Sequence, residues 1–127
     1  TIRTKDVMVT GDMLPVVPED MLMREAMNVL SHRNLGIIVA INHHGKISGV
    51  FTTGDLMRLL EKGKDFLDKP LLDYASPKPK TITPEVLAAK ALHVMETYSI
   101  TCLVVTDSEE RPIGIVQIYY ILRAGVY

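Results

Sequence analysis

Residues 49–58, Gly-Val-Phe-Thr-Thr-Gly-Asp-Leu-Met-Arg, have a counterpart at 114–123, Gly-Ile-Val-Gln-Ile-Tyr-Tyr-Ile-Leu-Arg. Each opens on glycine, runs through apolar residues and closes on arginine. Working outward, the same spacing of 65 aligns residues 17–60 with 82–125 without a gap. Six positions are identical: Leu22/Leu87, Ala26/Ala91, Val29/Val94, Val39/Val104, Gly49/Gly114 and Arg58/Arg123. The apolar register is kept where identity is not, as in Met21/Val86, Leu30/Met95, Ile38/Leu103, Phe51/Val116 and Leu56/Ile121. A repeat that keeps both spacing and periodicity is one structural unit present twice.

Each copy reads as β-α-β-β-α. A short extended piece (Leu14–Val17; Thr81–Ile82) precedes a helix predicted over Glu19–Arg33 and Pro84–Tyr98. Apolar residues at 22, 26, 29 and 30, and at 87, 91, 94 and 95, have helical spacing. Thr83 reads as an N-cap, with Pro84 at the first helical position. Strands follow at Ile37–Ile41 and Cys102–Thr106, then polar hairpin turns, Asn42-His43-His44-Gly45 and Asp107-Ser108-Glu109-Glu110. The hairpin partners are Ile47–Thr52 and Ile113–Ile118, and second helices close the units at Gly54–Lys62 and Tyr119–Ala124. These boundaries divide the chain into 1–62, a linker at 63–80, and 81–127. The linker carries Pro70, Pro77 and Pro79 and reads as boundary rather than core.

Composition narrows the function. The chain has 127 residues, 47% of them hydrophobic, with 14 basic and 15 acidic side chains, a net charge of −1. That is enough to bury a core without staples. It lacks the basic excess of a generic nucleic-acid binder. One cysteine excludes a disulfide framework or a cysteine-rich zinc site. No apolar run is long enough to span a membrane, and no signal peptide is visible. The start at Thr1-Ile2-Arg3 reads as a piece excised from a longer polypeptide, and the lone Cys102 suits a reducing cytoplasm.

A β-α-β-β-α unit of this size, given twice with GVFTTGD at the end of its second hairpin strand, resembles a tandem CBS-domain pair, or Bateman module. The resemblance implies an α/β (α+β) fold of two repeats packed in pseudo-twofold fashion, with clefts between them. Four stretches, TGDMLPVVPED (10–20), GVFTTGDLMRLLEKG (49–63), PKTITPEVLAAKALHVME (79–96) and LRAGVY (122–127), further resemble the C-terminal regulatory region of arabinose-5-phosphate isomerases of the sugar-isomerase type. This implies a non-catalytic module attached to an isomerase domain of Kdo biosynthesis.

By the same resemblance, Gly49-x-x-Thr52-x-x-Asp55 lines a nucleotide cleft. Asp55 would accept hydrogen bonds from ribose hydroxyls, and Thr52 would donate to a phosphate or sugar oxygen. Val16, Val17, Gly36 and Ile37 would contact the base, and Arg58 would reach a phosphate. The implied effector is CMP-Kdo or an adenine nucleotide, with no resident cofactor. A plainer reading of the same residues stands beside this one. Thr-x-x-Asp is a capping box that needs no ligand, and Arg58, repeated as Arg123, suits a structural ion pair. The second copy has Gln117 and Tyr120 at these positions, so its helix forms without the box, and a second nucleotide site is not expected.

Other chemistry finds no set of residues. His43-His44 on a turn has no third ligand nearby. Cys102 has no paired histidine, and no phosphate loop, nucleophile elbow or zinc-protease motif is present. The expected partners are a small-molecule nucleotide, the isomerase domain of a parent chain and a second copy in a homodimer, with no nucleic acid and no membrane. The dimer would bury the methionine-rich helix face of the first repeat. The competing function is a ligand-free dimerisation scaffold.

Overall fold

The computed structural model describes all residues, 1–127. The elements in chain order are α1 (Thr4–Val7), β1 (Val16–Pro18), α2 (Met23–Arg33), β2 (Ile37–Ile41), β3 (Ile47–Thr52), α3 (Thr53–Glu61), a 3-10 turn (Leu71–Asp73), β4 (Thr81–Ile82), α4 (Ala88–Tyr98), β5 (Cys102–Thr106), β6 (Pro112–Gln117) and α5 (Ile118–Arg123). They form two three-stranded sheets, β1-β2-β3 and β4-β5-β6. In each, the first pair is parallel and the second antiparallel. The mixed α+β class and the doubled β-α-β-β-α order are as expected.

The hairpin turns are built alike. Asn42 Oδ1 accepts the His44 and Lys46 amides, and Asp107 Oδ1 accepts those of Glu109 and Arg111. Such side chains mimic a backbone turn. Gly45 and Glu110 then take left-handed conformations, at φ 75° and 62°. The α2 and α4 helices end alike too, on left-handed Asn34 and Ser99.

One unit comprises Pro15–Pro79 and the other Thr1–Leu14 with Lys80–Tyr127. This departs from the expected division. Residues 1–14 pack on the second repeat, and 63–79 on the first. The proline-rich stretch is not mere boundary: Phe66 and Leu71 are buried in the first core with Val17, Met23, Ala26, Leu30, Ile38, Ala40 and Phe51. Each such side chain contributes about 1.5–3 kcal/mol by leaving water. The second core, around Leu92, Met95, Leu103, Val116 and Ile121, receives Ile2, Val7 and Met8 from the N-terminal stretch.

These two stretches are a further repeat, spaced 67 apart. Ser76 exchanges both backbone hydrogen bonds with Val50, as Val9 does with Ile115. Pro70 bridges Leu22 as Arg3 bridges Leu87. Leu71 and Thr4 are both fully buried. Thr4 reconciles its hydroxyl with burial by donating it to the Val86 carbonyl at 2.8 Å. These two straps, residues 1–14 and 63–79, explain why both copies keep a glycine at 49 and 114. A Cβ on Gly49 would stand 2.9 Å from Ala75 Cβ and 3.0 Å from the Ser76 carbonyl oxygen. One on Gly114 would meet Met8 Sδ at 2.7 Å and the Val9 carbonyl oxygen at 3.1 Å.

The straps also correct the helix starts. Thr83 does not cap α4, and Pro84 is not its first residue. A turn closed by Val86 N–H to Thr83 O comes first, as Met21 N–H to Pro18 O does before α2. The helices begin after Leu22 and Leu87, which offer no side-chain cap. Strap carbonyls take that role: Lys69 and Leu67 accept the Met23 and Arg24 amides, and Ile2 accepts that of Ala88. Helix-start N–H groups otherwise lacking partners are thereby satisfied.

Candidate functional site

Thr52 ends β3 and caps α3. Its Oγ1 accepts the Asp55 amide at 3.2 Å, and Asp55 Oδ2 accepts the Thr52 amide at 2.9 Å. The capping box is therefore closed in both directions. Asp55 Oδ1 accepts from Arg58 Nη2 at 2.7 Å, one helical turn on. Burial raises the Asp55 pKa. Hydrogen bonds from the Thr52 amide and the Arg58 guanidinium, the Thr52 hydroxyl and the charge of Arg58 outweigh it, and the carboxyl sits below its ordinary value. The group is ionised at neutral pH, and its side chain keeps 22% exposure. A carboxylate offers about four acceptor positions, of which the Thr52 amide, the Arg58 guanidinium and the Thr52 hydroxyl draw on three.

Sheet register sorts the other expected contacts. Val16 pairs with Val39 and Ile37 with Thr52, so Val16, Ile37 and Thr52 share one face. Val17 lies on the opposite face, packed in the core with Met23 and Phe51. It is held there by strand alternation, away from the face that carries Thr52. Ile37 is itself buried, and Val16 half-buried. Gly36 takes φ 75°, and its carbonyl accepts the Thr53 amide at 3.1 Å. It thus positions the start of α3.

A cavity of about 220 Å3 opens beside α3, lined by Phe51, Asp55, Arg58, Leu59, Lys62 and Tyr74. Of the expected site residues it gathers Asp55 and Arg58. Thr52, Val16, Val17, Gly36 and Ile37 take no part in its wall. Lys62 and Tyr74 were missed by sequence reasoning because Tyr74 lay in the supposed linker. The strap repeat, Val7/Tyr74 at a spacing of 67, was the signal available.

The second repeat replaces Thr52 and Asp55 and gives its arginine another partner. Gln117 precedes α5 without a side-chain capping bond, and Tyr120 stands 43% exposed in place of the acid. Arg123 donates to the Tyr119 hydroxyl at 3.0 Å, whereas Arg58 grips a carboxylate. The backbone anchor persists, with the Ile118 amide donating to the Thr101 carbonyl at 2.8 Å.

Elsewhere, the His43 and His44 rings touch at a tilt of 41°, their centroids 4.0 Å apart. No three His, Cys, Asp or Glu side chains gather as a metal site. Burial pushes the Cys102 thiol up to about 11, so it is not a thiolate at neutral pH. No helix is long and apolar enough to cross a membrane.

The family model for the CBS domain matches residues 4–62 and 71–127. Arabinose 5-phosphate isomerase KdsD of Pseudomonas aeruginosa is 38% identical over 125 residues, and that of Escherichia coli K12 is 34% identical. Each match covers 98% of this chain and 38% of the relative, so the chain spans well under half the length of these isomerases. Among solved structures, CBSX2 in complex with AMP superposes with a TM-score of 0.84 at 20% identity, covering 98% of this chain and 96% of that one. The CBS domain pair of MJ0100, in complex with 5'-methylthioadenosine and S-adenosyl-L-methionine, gives 0.85 at 22% identity, covering 97% and 94%. With two matched repeats and a fold shared with solved CBS pairs, the chain belongs to the CBS domain family as a tandem pair.

Proposed function

We propose that this CBS pair is a regulatory, non-catalytic module that senses a nucleotide or nucleotide sugar on behalf of an arabinose 5-phosphate isomerase. The observation that carries the reading is the state of Asp55. It is ionised, partly exposed and held in one orientation by Thr52 and Arg58, with an acceptor position left over. Capping and ligand recognition are compatible here, because the box fixes the acid before any ribose diol arrives. Pre-ordering of this kind lowers the entropy cost of binding. Thr52 acts through the acid it orients, its hydroxyl oxygen accepting the Asp55 amide and its proton turning to the Asp55 carboxylate. The exposed Arg58 guanidinium has further N–H groups for a phosphate. Val16, Gly36 and Ile37 would flank the base.

Similarity to pairs solved with AMP or S-adenosyl-L-methionine supports an adenine nucleotide as effector. Similarity to the isomerases supports CMP-Kdo, the activated end product of the sugar route, as the other candidate, and a cytoplasmic parent in lipopolysaccharide synthesis. Binding would shift the populations of module conformations that the attached enzyme reads. The test is calorimetric titration of AMP, ATP and CMP-Kdo into the chain and into Asp55→Ala. Binding of one of them that is lost in the variant, with the fold intact by circular dichroism, supports the reading. Failure of all three to bind removes it.

A scaffold reading is favoured by one observation. Met57 and Leu60 on α3, and Tyr119 and Leu122 on α5, are exposed apolar side chains. A homodimer covering them would organise the isomerase without any ligand. The methionine-rich face expected at that interface is spent elsewhere: Met23 is in the core, and Met21 and Met27 pack against it. Sedimentation of Met57→Glu/Leu60→Glu separates the readings. Loss of assembly without a ligand effect favours the scaffold.

A further inference from the structure

We propose that the cavity beside α3 is an anion site that takes a small phosphorylated polyol, about one monosaccharide in size. Its volume of about 220 Å3 lies below the roughly 300–1,000 Å3 typical of drug-sized ligand pockets. A whole nucleotide is therefore not its natural occupant. The lining is amphipathic. Phe51 and Leu59 supply an apolar floor against which a carbon skeleton can rest.

The polar lining has unspent capacity. The Lys62 ammonium, one turn beyond Arg58, makes neither an ion pair nor a hydrogen bond within the protein. Arg58 commits one Nη2 hydrogen bond to Asp55 and keeps the rest of its donors. The formal charge of the lining is thus positive by one: Arg58 and Lys62 against Asp55. A phosphate monoester bridging the two cations forms charge-assisted hydrogen bonds. The remaining acceptor position of Asp55 suits a neighbouring hydroxyl, which makes a polyol a better fit than a bare anion. Tyr74 closes the cavity from the strap, its ring edge-on to buried Phe66 at 6.1 Å and its hydroxyl without a partner in the protein. An occupant would therefore touch α3 and the strap together.

The site shares Asp55 and Arg58 with the nucleotide reading and is told apart from it by Lys62 and Tyr74, where the nucleotide reading uses Thr52, Val16, Gly36 and Ile37. The experiment is an amide chemical-shift titration of the 127-residue chain with ribose 5-phosphate, ribose, inorganic phosphate and AMP. Ribose 5-phosphate should move the Leu59, Lys62 and Tyr74 amides, while ribose leaves them unmoved. Lys62→Glu should weaken ribose 5-phosphate at least about tenfold and leave any AMP affinity unchanged. Tyr74→Phe should weaken it a few-fold. Silence of those amides overturns the proposal, as does inorganic phosphate binding equally well. An affinity indifferent to Lys62→Glu, or an equal loss of AMP binding in that variant, also overturns it.

Discussion

The starts of α3 and α5 occupy the same place in two copies of one unit, yet they are held differently. At α3, Thr52 and Asp55 close a capping box and Arg58 clamps the acid. At α5 no side-chain cap is made, Gln117 and Tyr120 stand where the second repeat could have repeated the box, and Arg123 donates to Tyr119 instead of to an acid. Both helices keep the amide-to-carbonyl anchor, Thr53 to Gly36 and Ile118 to Thr101. The fold requires the anchor and not the box. The polar trio of the first repeat is therefore available for a role that the second does not share.

The straps sharpen the same comparison, because they differ in chemistry at equivalent points. The largest expected effect is Leu71→Ala, which empties a fully buried site and should cost about 2–5 kcal/mol in urea unfolding. Its counterpart Thr4→Val replaces a hydroxyl that makes one hydrogen bond, and should cost about 1 kcal/mol. Next is Gly49→Ala, where the new methyl meets Ala75 Cβ and the strap backbone, at about 1–3 kcal/mol. Gly114→Ala should cost less, because its first obstacle is the flexible end of Met8. Equal losses at both glycines would show that the straps do not dock as described.

At the helix starts, Asp55→Ala should lower stability by about 0.5–2 kcal/mol through loss of the cap and the Arg58 pair. Tyr120→Ala removes no capping bond and should leave the start of α5 helical by amide exchange. The smallest effect is on pH dependence. The Asp55 pKa is depressed in the folded state, so its contribution is complete above the unfolded carboxylate value of about 4. It fades as pH falls through the lower folded value. Acid unfolding followed from pH 6 to pH 2, values chosen to span about two units either side of that pKa, should be shallower in Asp55→Asn than in the native chain.

Much of the architecture was legible because it rests on periodicity. Strands β2 and β5 were placed to the residue by their apolar runs and by the Asn42 and Asp107 turns. The straps were not legible because backbone hydrogen bonds dock them and their side-chain repeat at a spacing of 67 is sparse. Their one fully buried position is leucine in one copy and threonine in the other. The late helix starts escaped for the same reason, since strap carbonyls cap α2 and α4 in place of a polar residue. Thr52, Asp55 and Arg58 were legible as a cluster, and the structure adds that capping and clamping fix the acid. Val17 was drawn in by nearness along the chain, but alternation turns it into the core. Lys62 and Tyr74 needed the strap to be recognised first.

The asymmetry between the repeats is tested most directly by the stoichiometry of effector binding. Calorimetry of AMP and CMP-Kdo with the native chain, Asp55→Ala and Tyr120→Phe should give one site per chain. That site should vanish with Asp55→Ala and persist in Tyr120→Phe. Two equivalent sites per chain, or a single site untouched by Asp55→Ala, would contradict the account.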